Sequence, residues 1–413
     1  MPSESPQFPK LRNIEAFPVS YEGQEAVCLR DPDHFASQPI FINPAVIALL
    51  RLFDGSRSVS EIHSEFVREN GISVSAEQLA ELVDELDSSL FLDSENFRIA
   101  RSEMESRFRQ SSVRMATHAG GAYSEDPAAL REELEAFYMS AEGPGELPDR
   151  KLDGTVTGLI APHIDFNRGG SCYAWAYREL ATSLDADLFV ILGIGHAGPR
   201  HMYSMTAKDY DTPLGTVRTD SEFVSRVQEA CPFDVLEDEF LHRDEHSVEF
   251  QVVFLKHLLG SGSNAMIVPV LCGSFHELVL AGESPADHPH FRGFVEALQE
   301  AIRASGKRVC VIAGVDLAHI GQHFGDEEAL SDSWLQKVQE ADMRLLGHVE
   351  SLDEESLFRH ICEDQDQRRV CGYPAIYTMM TLVNATQARL LKYGQAADSD
   401  TQQAVTFASM VLE

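Results

Sequence analysis

Four short apolar runs, separated by helical sequence, set the architecture of the larger part of this chain. They span residues 155–160, 188–192, 265–270 and 308–313, and all are rich in β-branched or bulky apolar side chains. Runs of this kind are buried on both faces, which is the condition of strands in a largely parallel sheet covered by helices on either side. The expected class is therefore α/β, a three-layer domain. In such sheets ligands bind beyond the carboxyl ends of the strands. Three of the four runs deliver a histidine there. GLIAP leads into His163 and Asp165, FVILGIG into His196, and VCVIAGV into Asp316 and His319. One histidine after a strand means little. Three on one rim have no packing role in common, and metal ligation or acid–base work accounts for all of them.

Other residues near these runs add detail. Gly193, Gly195 and Gly198 bracket His196, and are expected to let the backbone turn sharply and approach a bound group. They match GxGxxG, but no acidic residue closes the next strand, so dinucleotide binding is not expected. His242 to Glu249 opens a helix in which His246 and Glu249, three apart, can share a face. The spacing is not HExxH, which excludes a zincin protease, and a plain charged helix start explains the segment equally well. Cys371 lies between Arg368-Arg369 and a helix beginning near Ala375. That setting predicts a lowered thiol pKa, while an inert buried cysteine is the other open reading.

The first part of the chain is organised differently. Residues 17–32 and 38–43 read as short strands, Pro44 as a helix start, 58–67 as a second helix, and Ser75 with Gln78 as the capping box of a third. Leu90 to Asp93 reads as the edge of a wing. Three helices and a wing resemble a winged helix, in particular the PqqD-like peptide-binding domains, with DGSRSVSEI and LVDELDSSLFLD carrying the likeness. The third helix carries Glu77, Glu81, Asp84 and Glu85, which would oppose phosphates. A peptide or protein partner is expected on this domain, with a purely structural role as the alternative. Residues 98–112, with Arg98, Arg101, Arg107 and Arg109, read as a solvated helical linker. The expected division is 1–97, a winged-helix-like α+β domain; 98–112, the linker; and 113–413, the α/β domain, which opens with an amphipathic helix from Pro127 and a Gly/Pro-rich loop over 141–153.

Composition narrows the function. The formal charge is 33 − 66 = −33 and is spread along the chain, so binding to nucleic acid is not expected. Seven cysteines without a CxxC pair indicate a reducing compartment. Neither a leader nor a run of roughly 18 apolar residues is visible. A soluble cytoplasmic protein is the expectation, with no membrane contact.

The spaced motifs APHIDFNRGG, LGIGHAGP, DEHSVEFQ, DLAHIGQHFG and VCGYPAI, preceded by RMATHAGGAYSEDPAALREELEAFY, resemble the MEMO family in identity and order over about 300 residues. The resemblance implies the fold of the class III extradiol dioxygenases, which are non-haem iron enzymes. It implies His163 and His196 as metal ligands, Cys371 where the dioxygenases have glutamate, His319 in the acid–base position, Asp316 supporting His319, and His246 lining the pocket. Two imidazoles and a thiolate suit iron or copper, with zinc as a further option. Catechol cleavage is not implied, because the thiolate would be oxidisable beside oxygen. Bacterial members accompany a radical-SAM protein and an AMMECR-type protein, which implies such partners in an AmmeMemoRadiSam-type system, this chain resembling its protein B. Three functions follow as expectations: metal-dependent redox chemistry on an unknown, possibly peptide-linked substrate; non-catalytic metal or peptide binding; and metal-assisted hydrolysis. His163 is followed here by Ile-Asp-Phe-Asn rather than the family's more common Ala-Gly-Tyr, so Asp165 is expected either in the pocket or paired with Arg168.

Overall fold

The chain divides into two units, Met1–Gln110 and Ser111–Glu413. A computed structural model describes residues 6–413 apart from 22, 37, 72, 73, 150–155, 184 and 185. Thr155, read above as the start of a strand, and the end of the loop over 141–153 lie outside the described residues.

In the first unit, strands β1 (Glu15–Tyr21), β2 (Gln24–Arg30) and β3 (Ile40–Ile42) form an antiparallel sheet in that order. Helices α1 (Ile47–Leu50), α2 (Val59–Asn70), α3 (Ala76–Ser88) and α4 (Glu95–Gln110) follow. Ser58 with Glu61 and Ser75 with Gln78 each close a capping box, which fixes where α2 and α3 begin. The apolar faces of these helices and the inner face of the sheet share one core that includes Leu29, Ile62, Phe66, Leu79, Val83 and Leu86. The sheet precedes the helices. After α3 the described residues hold an isolated bridge between Leu11 and Leu92 instead of a wing hairpin.

The stretch expected as a solvated linker lies mostly in α4. Its arginines pair along the helix, Arg98 with Glu95, Arg101 with Glu105 and Arg107 with Glu103, so they do not form a free basic surface. Phe97 packs edge-on to Phe35 at 5.2 Å under the Arg12 guanidinium. Phe97 and Phe108 are both buried, which gives this helix a packed face that a linker lacks.

The second unit runs β4 (Val113–Arg114), α5 (Pro127–Met139), β5 (Gly158–Ala161), α6 (Phe166–Leu180), β6 (Leu188–Ile194), β7 (Tyr203–Met205), β8 (Asp209–Tyr210), α7 (Ser221–Ala230), α8 (His246–Leu259), β9 (Met266–Cys272), α9 (His276–Ala281), α10 (Pro289–Ser305), β10 (Val309–Gly314), β11 (His319–Ile320), α11 (Asp332–Glu350), α12 (Glu354–Glu363), α13 (Tyr373–Leu382), β12 (Ala388–Asp398) and β13 (Gln403–Leu412). Its main sheet has the order β11-β13-β5-β10-β6-β9-β7, with β12 on β13. The four apolar runs are its centre, and β5, β10, β6 and β9 are parallel neighbours. The flanks are antiparallel, β13 against β5 and β7 against β9, so the whole sheet is mixed. The antiparallel share comes mostly from the C-terminal hairpin β12–β13.

Alternation along β6 shows the three layers. Leu188, Val190 and Leu192 face a core shared with α7, α10 and α13, while Phe189 and Ile191 face one shared with α5, α6 and α8. Each fully buried side chain of this size contributes about 1.5–3 kcal/mol. Among the described residues no helix is long and apolar enough to cross a membrane.

Candidate metal centre

The site forms where the parallel strands end. His163 follows β5, His196 follows β6, and Asp316 and His319 follow β10, which lies between those two strands. His246 is the first residue of α8, and Cys371 precedes α13. Ligand atoms of His163, His196 and His246 lie within 4.8 Å of one another. Their ring centroids are 5.0, 5.2 and 4.9 Å apart, with His196 and His246 stacked. The Cys371 thiol reaches the group through His163, at 3.4 Å from its Nε2. His163 is buried, whereas the His196 side chain is 40% exposed and that of His246 33%, so the centre opens to solvent on their side.

The hydrogen bonds decide which ring nitrogens are free. His163 Nδ1 faces the Gly314 carbonyl at 3.0 Å, and a carbonyl only accepts, so Nδ1 carries the proton. Its Nε2 lone pair then points at Cys371 Sγ and at Asp316 Oδ2, 3.6 Å away. His196 Nδ1–H donates to the Glu245 carboxylate at 3.0 Å, and His319 Nδ1–H to the carbonyls of Leu317 and Arg369, both at 3.1 Å. Each of these rings therefore has Nε2 available. Once the thiol gives up its proton, the His163 lone pair, the Cys371 sulfur and the neighbouring Asp316 carboxylate are donors that a cation would satisfy. The residues present fit a metal, and the oriented Nδ1–H groups are the usual support of histidine ligands.

Burial holds His163 well below the ordinary histidine value, with the neighbouring imidazoles adding to the effect. His246 and His319 are each lowered to about 4, first by burial. Burial also pulls His196 down, but the Glu245 carboxylate more than offsets this and leaves it raised. Burial lifts Asp316 to about 7, against the hydrogen bonds that lower it.

Two expectations are corrected. The Cys371 thiol is pushed well above its ordinary value, by burial first and then by Asp316. The flanking arginines do not lower it because both are engaged elsewhere, Arg368 by Asp342 and Asp364 and Arg369 by Asp326. Asp316 does not support His319. Its Oδ1 accepts from the backbone N–H groups of His163 and Ile164 at 2.9 and 3.1 Å, so it shapes the His163 loop instead.

Of the glycines around His196, Gly198 makes the expected sharp turn, with φ 71° and its N–H on the Gly195 carbonyl at 2.9 Å, but Gly193 acts otherwise. A side chain on Gly193 would meet Ser247 Oγ at 2.5 Å, so this glycine admits helix α8, not a ligand. One on Gly372 would meet the Asp316 carbonyl at 2.4 Å, so glycine there brings the cysteine against β10's exit. Asp165 caps α6 and pairs with Arg168.

Glu245 escaped the reading of the sequence, where it figured only as a helix-start charge. It caps α8 and contacts both His196 and His246. The rest of DEHSVEFQ is likewise occupied. Ser247 exchanges hydrogen bonds with Ile194 at the end of β6, and Gln251 donates to the Pro162 carbonyl at 2.7 Å. Glu249 turns away from the centre and binds buried Arg114. His118, also missed, lies 5.9 Å from the His246 ring and donates its Nδ1–H to Glu249 at 2.9 Å.

Residues 114–411 match the Memo-like protein family. A MEMO1 family protein of Aquifex aeolicus is 24% identical over 98% of this chain and 99% of its own length. Those of Methanopyrus kandleri and Methanothermobacter thermautotrophicus are 30% and 31% identical over 71% and 69% of this chain, and 96% and 94% of their own. The chain belongs to the Memo-like family.

Proposed function

We propose that the C-terminal unit is a mononuclear metal protein with redox chemistry, in which His163, His196 and Cys371 hold iron or copper and His319 moves a proton. The observation that carries this is the 3.4 Å approach of the Cys371 thiol to the free Nε2 of His163, beside a second imidazole oriented by a carboxylate. Iron or copper in such a site supplies a redox couple with positions left for a substrate. His319, neutral at physiological pH and fixed through Nδ1, has its Nε2 free to accept a proton. Asp316 keeps the His163 loop in register, and Glu245 keeps His196 oriented.

The three-imidazole group favours a second reading, with His246 in place of Cys371. That set suits zinc and hydrolysis, with His319 as base. Metal analysis of protein purified without oxygen separates the two: about one equivalent of iron or copper supports the first, zinc the second. His319→Gln should leave the metal content unchanged. Loss of metal in that variant would make His319 a ligand and overturn its assigned role.

The substrate is taken to be peptide-linked, and the N-terminal unit to be the docking arm for a peptide or protein, with radical-SAM and AMMECR-type proteins as working partners in the cytoplasm. Exposed Tyr21 and Phe41, stacked at 4.2 Å on its sheet, support a docking role. Deleting residues 1–110 should spare metal binding and abolish partner binding. A truncated chain that no longer folds would make that unit structural.

A further inference from the structure

The loop that carries Cys371 is wound through backbone that side chains disfavour. Gln365, Asp366 and Arg369 have φ of 54°, 55° and 51°. Such conformations persist only where the surroundings hold them, and they cluster at functional sites. Here the inner part of the loop is closed by its own acids. Asp366 accepts from the Val370 N–H at 2.8 Å, and Asp364 from the Asp366 N–H at 3.1 Å. Arg368 ties the loop to buried Asp342 at 2.9 Å.

Arg369 makes a different set of contacts. Its guanidinium forks onto both oxygens of Asp326, at 2.8 and 3.1 Å, and also donates to the His319 carbonyl at 3.1 Å. In return its own carbonyl accepts the His319 Nδ1–H at 3.1 Å, and the Arg368 carbonyl accepts the His319 N–H at 2.7 Å. His319 is thus bound at its backbone and its ring by residues two and three places before Cys371. Asp326 closes the circle by accepting from the Gly321 N–H at 2.8 Å, on the far side of β11.

We propose that Arg369 is the positioning residue that holds the Cys371 loop to the His319 segment, so that the thiol addresses a bound ion while the imidazole addresses its substrate. The proposal rests on the metal reading above. A purely stabilising role fits the exposure poorly, since the Arg369 side chain is 39% exposed and that of Asp326 21%, and ion pairs this wet contribute little to folding. Their geometry, a two-pronged fork plus a contact to the histidine carbonyl, suits orientation.

The test is titration of the full-length protein with Co²⁺ under anaerobic conditions, read by the thiolate-to-cobalt charge-transfer absorption and by affinity. Arg369→Ala and Asp326→Asn should each weaken or shift that band and lower affinity by about tenfold or more, as loss of ligand-orienting contacts does. The midpoint of thermal unfolding should move by no more than about 3 °C. Arg369→Lys, which keeps the charge but not the fork, should restore the band only in part. Arg369→Gly relieves the backbone strain, so a wild-type band in that variant would mean that Arg369 merely tolerates its conformation, and would overturn the proposal. So would a wild-type band in Arg369→Ala, or its loss together with a collapse of thermal stability. Absence of a thiolate band from the wild-type protein would instead sink the metal reading, and this assignment with it.

Discussion

His163→Ala is expected to lower the affinity of the centre for a transition metal by about 10²- to 10³-fold. Four-coordinate structural metal sites bind with roughly 10–16 kcal/mol, so one ligand in them carries about 2.5–4 kcal/mol, at about 1.4 kcal/mol per tenfold. His163 is the residue for which this loss should be fullest. It is buried, its ring is fixed by Gly314, and it is the histidine that the thiol approaches. The paired variant His246→Ala distinguishes the donor sets. If His246 only lines the pocket, the metal stays; if the centre is a three-imidazole site, this variant loses as much as His163→Ala. Competition against a chelator of known affinity measures both. Retention of wild-type affinity in His163→Ala would remove the basis for a metal centre at this rim.

The rim itself was legible because strands buried on both faces leave an unbroken apolar signal, and the next polar residues must then lie at the sheet's edge. That reasoning located His163, His196, Asp316 and His319 without any contact information. It could not say which partner each would take. The family resemblance implied that Asp316 supports His319, yet the chain turns between them, so Asp316 reaches the His163 backbone and His319 reaches the Cys371 loop. The same limit applies to Arg368 and Arg369. Adjacency to a thiol suggested activation, but Arg368 is drawn to Asp364 and to Asp342, 26 residues away, and Arg369 to Asp326, 43 residues away. The C-terminal hairpin was missed for another reason. The buried run from Ala404 to Leu412 mixes small and polar residues, and Thr406 and Ser409 are buried with their hydroxyls bonded, so it lacks the plain apolar signature of β6 or β9.

Nothing in the sequence marked Arg114 as buried, and replacing it should have the largest effect on stability. Arg114→Met is expected to destabilise the C-terminal unit by about 3–5 kcal/mol, because it strands a buried carboxylate. Arg114 and Glu249 are both fully buried and paired. The guanidinium also donates to the carbonyls of His242, Met115 and Glu245, at 3.0, 2.8 and 3.0 Å, which ties β4 to the start of α8 and so to His246. Glu249 accepts further from the His118 N–H at 3.1 Å, from Thr117 at 3.2 Å and from the Tyr123 hydroxyl. Burial alone would raise the Glu249 pKa, but the Arg114 charge and these hydrogen bonds outweigh it and hold it near 2. A folded-state value below the ordinary one of 4.5 means stability that is present at neutral pH and lost as pH falls from about 4.5 to about 2. The shift corresponds to roughly 3 kcal/mol at 1.36 kcal/mol per unit. Urea denaturation at pH 7 and pH 3 should therefore show the wild type losing stability in acid, and Arg114→Met losing less from its lower starting point. The double variant Arg114→Met/Glu249→Leu, which removes both charges, should recover much of the deficit at pH 7. A single variant within about 1 kcal/mol of wild type, or a double variant no better than the single, would show that the pair does not hold β4 and α8 together.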